Sequence, residues 1–369
     1  MIYMKTSLQI LLVAGARPNF MKIVPLFRTA KTVDSLSCKI VHTGQHYDYE
    51  MSQAFFDDLE LPKPDFFLDA GSGSHAVQTG KIMTAFEEVV QVEQPDWVVV
   101  VGDVNSTLAC SIVAKKEQIK VAHVEAGLRS RDMAMPEEIN RMVTDTLSDL
   151  FFVTEQSGVD NLLQEGKPEK AIHLVGHVMI DNLFFQLEQL KTNNVQAMST
   201  HALKQQHPAY GFMTLHRPSN VDAERVFRGI AEALNSIAED LTLFFPVHPR
   251  TRKMMDRFKI KFSDNIICLD PLGFRESLYL WKDARVVLTD SGGLQEETTG
   301  LGIPCVTIRE NTERPITIEM GSNVLAGTST QGIVDAFHQS MEQKLDGRIP
   351  PLWDGRAAER IWQILQQWI

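Results

Sequence analysis

Trp97-Val98-Val99-Val100-Val101-Gly102-Asp103-Val104-Asn105-Ser106-Thr107 joins an apolar, β-branched run to a turn and the opening of a helix-period stretch, Ser106 to Glu117. That pairing is one strand–helix unit of a parallel α/β sheet. The same rhythm extends to both sides. Strands are expected at Gln9 to Ala14, Lys39 to Thr43, Val121 to Val124, Leu150 to Val153 and Ile172 to Val175, with amphipathic segments at Phe20 to Ala30 and Glu137 to Ser148. The rhythm restarts at Gly211 to Leu215 and continues through Thr242 to Val247, Ile266 to Leu269, Val286 to Thr289 and Cys305 to Ile308. Two doubly wound, Rossmann-like parallel-sheet domains in tandem are the simplest reading. The boundary is placed after Val175, giving domains 1–177 and 178–355. The closing segment 356–369 has the spacing of an amphipathic helix that crosses back to the first domain.

The chain has 369 residues, with 36 Lys and Arg against 47 Asp and Glu and a formal net charge of −11. At roughly 150 residues per domain that length fits two domains, and 44% hydrophobic residues supply a core for each. The acidic balance argues against general binding of nucleic acid or anionic membrane, so an anionic ligand must be held by a few placed cations. No apolar run approaches the roughly 18 residues of a membrane span, and the start carries no small-residue cleavage site. A cytoplasmic protein is expected. Cys38, Cys110, Cys268 and Cys305 lie far apart with no paired spacing. Neither a zinc site nor a disulfide framework is expected, and the four thiols are expected to be buried.

Ligands of open α/β sheets bind past the carboxyl ends of the strands, so those positions carry the functional reading. Gly15-Ala16-Arg17-Pro18-Asn19-Phe20-Met21-Lys22 is neither a dinucleotide fingerprint nor a Walker loop, but Arg17 and Lys22 suit a phosphate or pyrophosphate. Asp103 follows one strand, Glu125 follows the next in His123-Val124-Glu125-Ala126-Gly127, and Glu137 opens a helix in Met135-Pro136-Glu137-Glu138. Each acid taken singly has an ordinary structural use in capping or dipole complementation. Together they form a cluster suited to proton transfer. In the second half, His216 and His248 follow strands. Thr289-Asp290-Ser291-Gly292-Gly293 then lets backbone N–H groups approach a phosphate at a helix start, with Glu297 one turn in to grip ribose hydroxyls. Arg309 and Arg314 follow the next strand.

With these motifs in place the chain resembles the non-hydrolysing UDP-N-acetylglucosamine 2-epimerases. The resemblance runs in order through GARPNFMK, HTGQHYD, GDVNSTLA, HVEAGLRS, MPEEINR, LHRPSNVD, PVHPRT, LTDSGGLQEE and TERP. It implies a glycosyltransferase-B-like fold with an interdomain cleft, and interconversion of UDP-N-acetylglucosamine and UDP-N-acetylmannosamine on the way to cell-surface polysaccharide precursors. The family reaction eliminates UDP to a 2-acetamidoglucal and adds it back, with no redox cofactor; no metal is expected either, since the sequence shows no ligand cluster and Arg17, Lys22 and Arg314 can neutralise the leaving group. Carried over by position, Asp103, Glu125, Glu137 and His216 match its catalytic set. Arg17, Lys22, Leu272, Ser291, Gly292, Gly293, Glu297 and Arg314 match its substrate-binding set. A homodimer is implied, with a UDP-sugar as ligand and neither nucleic acid nor membrane as partner.

The chain departs from that pattern at three places. His216-Arg217-Pro218-Ser219 stands where many bacterial members have His-Arg-Arg-Glu, and Asp48 where the better-known bacterial form tends to carry Gln. Ser277 occupies a spot where an aromatic often lies beside the uracil. The His-Arg-Pro-Ser-Asn form also occurs in relatives acting on 2,3-diacetamido uronic acids. Such a modified sugar, a hydrolysing epimerase and a glycosyltransferase of the same fold are the alternatives.

Overall fold

The structure, a computed structural model, describes residues 7–44, 61–192, 194–312, 314–342 and 349–368. Asp48 lies outside the described residues. The chain divides into two compact units, Met1–Asn182 with Pro351–Ile369, and Leu183–Pro350. The first break thus falls at 182 rather than 177, inside the helix Val178–Thr192, and the second at 350 rather than 355.

The first unit is a seven-stranded parallel sheet. Its strands are β1 (Leu8–Ala14), β2 (Leu36–His42), β3 (Phe66–Phe67), β4 (Trp97–Val101), β5 (Lys120–Val124), β6 (Leu150–Val153) and β7 (Ile172–Leu174), in spatial order β3-β2-β1-β4-β5-β6-β7. All five residues of β4 are buried because helices cover both faces, which is why this strand reads as a continuous apolar run rather than an alternation. On one face Leu11, Val13, Val98, Val100 and Val121 pack with Ile82, Phe86 and Val90 of the helix His75–Glu93 and with Ala109, Cys110 and Val113 of the helix Asn105–Lys116. On the other side of the layer the helix Arg17–Ala30 meets the helix Ala357–Leu365, and Trp362 Nε1 donates to the Leu26 carbonyl at 2.8 Å.

The second unit is a six-stranded parallel sheet of β8 (Gly211–Thr214), β9 (Leu243–Pro246), β10 (Ile266–Leu269), β11 (Val287–Thr289), β12 (Cys305–Thr307) and β13 (Asn323–Leu325), in order β10-β9-β8-β11-β12-β13. Met213, Phe245, Leu288, Val306 and Val324 form its core with Phe227, Ile230 and Leu234 of the helix Glu224–Asp240 and Ile333 and Phe337 of the helix Thr330–Glu342. The expectation of four buried thiols is corrected here. Cys110 and Cys305 are buried and Cys38 partly so, but Cys268 is exposed, because β10 is an edge strand with one side uncovered. No helix among the described residues is long and apolar enough to cross a membrane.

Candidate active site

In the first unit the strand order reverses between β1 and β4, with Ile10 beside Trp97 and Leu12 beside Val99. A crevice at the carboxyl ends of strands is the expected ligand position at such a reversal. β1 leads into the helix Arg17–Ala30, with Arg17 as its first residue. Asn19 folds back over the turn. Its Oδ1 accepts from the N–H groups of Gly15 at 3.3 Å and Ala16 at 3.1 Å, and its Nδ2 donates to the Val101 carbonyl at 3.2 Å. One turn of helix further on, the Lys22 ammonium pairs with Glu125 Oε2, both side chains being buried.

Gly102, directly after β4, stands at φ +67° and Glu125, directly after β5, at φ +74°. A Cβ on Gly102 would stand 3.0 Å from Lys22 Nζ and 3.3 Å from Glu125 Oε2, so glycine is needed there for space as well as for angle. For a non-glycine residue the left-handed conformation costs about 1–2 kcal/mol. At Glu125 it is held by two bonds, since its N–H and that of Ala126 both donate to the Phe152 carbonyl, at 2.9 and 3.2 Å. His177, fully buried, takes the Met179 N–H on Nδ1 at 3.2 Å and sets Nε2 3.9 Å from Glu125 Oε1.

Asp103, the next residue along from Gly102, accepts from Arg141 Nη2 at 2.5 Å, and its carbonyl accepts from Asn140 at 2.8 Å. Arg141 also reaches Glu138 at 3.1 Å, and Glu138 accepts the N–H groups of Ser130 and Arg131, both at 2.9 Å. Burial pushes the Glu138 carboxyl up, but these donors outweigh it and hold the group below the usual carboxylate range. Glu137, by contrast, stands exposed on the first turn of the helix Pro136–Leu147. The strand ends therefore bring Lys22, Asp103 and Glu125 together, while Glu137 faces solvent.

The second unit repeats the arrangement at its own reversal, between β8 and β11, where the Thr214 and Thr289 hydroxyls meet at 2.6 Å. Asp290, fully buried at the end of β11, organises the loop after β8. Its carboxylate accepts the N–H groups of His216 at 3.0 Å and Arg217 at 2.9 Å and meets His216 Nδ1 at 2.9 Å. Burial raises this carboxyl, yet the His216 ring and the two N–H groups hold it below its usual range. With Nδ1 engaged, the exposed His216 ring keeps Nε2 for a ligand. His248, 6.0 Å away between ring centroids, is shifted down by burial and by His216.

Ser291 precedes the helix Gly292–Leu301 without making a side-chain capping bond, and a Cβ added to Gly292 would meet nothing within 4 Å. A helix start of small residues with no side-chain cap suits an anion. Gly293 is the second helical residue. Arg314 pairs with buried Glu296, and Glu297, packed beside Glu296, is pushed up to about 8 by burial and by that neighbour's charge. Leu272 is half-buried in the turn after β10. The sequence alone does not single out Asp290, Asn19, Arg141 or His177. Asp290 had a signal, an acid directly at a strand end; the other three are legible only once the strand ends are placed.

Two doubly wound parallel sheets, each with polar groups gathered at its reversal point, define the chain as a glycosyltransferase-B-like α/β protein, as the sequence leads one to expect. The family model described as UDP-N-acetylglucosamine 2-epimerase matches residues 28–366, and the chain belongs to that family. It is 40% identical over 361 residues to the UDP-N-acetylglucosamine 2-epimerase of Methanocaldococcus jannaschii, covering 96% of this chain and 98% of that one. It is also 40% identical over 363 residues to the UDP-2,3-diacetamido-2,3-dideoxy-D-glucuronate 2-epimerase of Pseudomonas aeruginosa, covering 97% and 99%. Among solved structures, that of M. jannaschii UDP-GlcNAc 2-epimerase in complex with UDP-GlcNAc and UDP aligns with a TM-score of 0.84 at 39% identity, over 97% of this chain and 99% of that one.

Proposed function

We propose that the protein interconverts UDP-N-acetylglucosamine and UDP-N-acetylmannosamine. The observation that supports this most directly is the pair of acids on adjacent strand ends, each with its own cation: Glu125 with Lys22, and Asp103 with Arg141. The C2 hydrogen of the sugar is not acidic by itself. Its removal becomes feasible when the C1–O bond breaks in the same stage and the bonding electrons leave with UDP, so that the C2–H pair forms the C1=C2 bond of a 2-acetamidoglucal. A proton then returns to C2 on the opposite face and the UDP oxygen re-forms the C1–O bond. Asp103 and Glu125 are assigned the proton transfers, with Glu137 as the third acid of the set. His216 and the N–H groups at Ser291, Gly292 and Gly293 are assigned the pyrophosphate. Arg17, Lys22 and Arg314 supply cationic charge, Glu297 takes the ribose hydroxyls, and Leu272 lines the base. No metal or redox cofactor is needed for these steps. A second reading, epimerisation of a 2,3-diacetamido uronic acid nucleotide, is favoured by the equal identity to the Pseudomonas aeruginosa enzyme.

The test is proton NMR of the purified protein in D₂O with UDP-N-acetylglucosamine, and in parallel with the 2,3-diacetamido uronate nucleotide, without added metal. Expected are UDP-N-acetylmannosamine signals with deuterium entering C2. Turnover of the uronate alone selects the second reading, and free N-acetylmannosamine a hydrolysing enzyme. No deuterium exchange in either substrate overturns the epimerase reading. We further place the protein in the cytoplasm, where nucleotide sugars are made and consumed, and infer a homodimer. Ile139, Met142 and Val143 line the exposed face of the helix Pro136–Leu147 and suit contact with a second copy. Met142→Lys is expected to halve the mass seen by light scattering, and a monomeric wild type would end the dimer inference.

A further inference from the structure

His123 is the fourth residue of β5 and is completely buried. Its Nε2 lies 2.8 Å from the Gly102 carbonyl oxygen, and its Nδ1 lies 2.7 Å from Asp145 Oδ1. A carbonyl oxygen only accepts, so Nε2 must carry a proton. Asp145, itself completely buried on the helix Pro136–Leu147, accepts on its other oxygen from the Gly127 N–H at 3.1 Å and from Arg129 Nη2 at 2.8 Å. Arg129 is always charged, and its pair with this buried oxygen, joined by the Gly127 N–H, keeps the Asp145 carboxyl ionised whatever the state of the ring. An ionised carboxylate only accepts, so Nδ1 must donate as well. Both ring nitrogens are then donors, which is the imidazolium form.

The place of this ring in the fold gives it a consequence. Gly102 and Glu125, the two strand-end residues at positive φ, flank it on adjacent strands. Through Nε2 it grips the peptide that leads directly into Asp103. Through Nδ1 and Asp145 it is tied to the Gly127 N–H, two residues past Glu125. The charged groups around the ring are Asp145, Arg129 and, beyond Arg129, Glu165, which accepts from Arg129 Nε at 2.8 Å. Across Gly102 lies the Lys22–Glu125 pair.

We propose that His123 is a positioning residue held as a buried imidazolium, a clamp between Gly102 and Asp145 that sets the strand ends carrying Asp103 and Glu125 in register for proton transfer. This rests on the epimerase reading above. A neutral side chain cannot donate to both acceptors and keep this geometry. A displacement on the order of 1 Å of a reacting group costs roughly 100-fold in rate.

Two measurements test it together. In full-length protein labelled with ¹⁵N-histidine, and with His123→Gln used to assign the signal, both ring nitrogens of His123 are expected at imidazolium shifts. In kinetics His123→Gln is expected to lower kcat roughly 100-fold while the KM for the UDP-sugar stays within a few-fold, at temperatures where circular dichroism finds the variant folded. A single-tautomer neutral ring, or a kcat within a few-fold of wild type, overturns the proposal. If the variant does not fold, the ring shifts of the wild-type protein, assigned by through-bond correlation, decide it. Failure of the epimerase reading is distinguished because it silences the wild type in the D₂O assay, whereas failure of this inference leaves wild-type turnover intact.

Discussion

Asp103 and Glu297 are two acids with opposite surroundings, and each carries a prediction. Asp103 lies a quarter exposed against Arg141, a geometry that keeps one oxygen engaged and leaves the other able to meet a substrate. Asp103→Asn retains the shape and loses the proton-accepting oxygen. Turnover is expected to fall by about 10²–10⁴-fold, the usual worth of a general acid or base, while UDP still raises the melting temperature. Near-wild-type turnover in this variant would remove Asp103 from the reaction. Among the described residues no cation pairs with Glu297, and its carboxyl is raised from 4.5 to about 8. A raised carboxyl retains its proton in the folded chain after the unfolded chain has lost it, so its contribution to stability is complete below about 4.5 and is lost as pH climbs to about 8. Glu297→Gln should therefore flatten the decline in melting temperature between pH 5 and 8. An unchanged pH profile would mean the carboxyl is not buried as described.

At the scale of the element, the strands that were easiest to read are those buried on both faces, such as Trp97–Val101, whose bounds agree with the sequence reading. β3 and β13, two and three residues long at the sheet edges, are too short to show a period in the sequence. The helix Pro136–Leu147 explains why the site was only half legible. It buries Glu138, Asn140, Arg141, Thr144 and Asp145 and exposes Ile139, Met142 and Val143, because the face it turns inward meets strand-end loops rather than apolar side chains. Hydrophobic periodicity points such a helix the wrong way, so the partners of Asp103 and His123 were hidden, and Pro136-Glu137-Glu138 gave no means of telling the exposed acid from the buried one. Capping was hidden for a similar reason. The helix Ala357–Leu365 receives no cap from its own residues. Asp181, far away in the chain, accepts from the N–H groups of Ala357 at 3.0 Å and Ala358 at 2.7 Å. Burial pushes this carboxyl up to about 6 despite those bonds. Asp181→Ala strands two buried donors and is expected to cost about 2 kcal/mol in urea unfolding, with Asp181→Asn in between. A loss below about 0.5 kcal/mol would show that water replaces the cap.

For the whole molecule, the consequential feature is that the first unit is discontinuous, closed only by Pro351–Ile369 after all of the second unit has been traversed. That last segment is core rather than ornament. Trp353 Nε1 donates to the Thr154 carbonyl at 3.2 Å, Trp362 Nε1 reaches Leu26, and Ala357, Ile361 and Leu365 are fully buried. Truncating one buried tryptophan to alanine typically costs about 3–5 kcal/mol. Two are lost together if the chain ends at residue 350, against total stabilities of about 5–15 kcal/mol for a domain. The first sheet then loses most of its margin, while the second, whose core draws only on residues between Met213 and Phe337, keeps its own. Hydrogen exchange on a chain ending at residue 350 is expected to find the amides of β1, β4 and β5 unprotected and those of β8, β9 and β11 still protected. Catalysis should be lost along with the first group, because Asp103 and Glu125 sit directly after β4 and β5. Equal protection in both sheets would mean that the final helix merely covers a unit already complete without it.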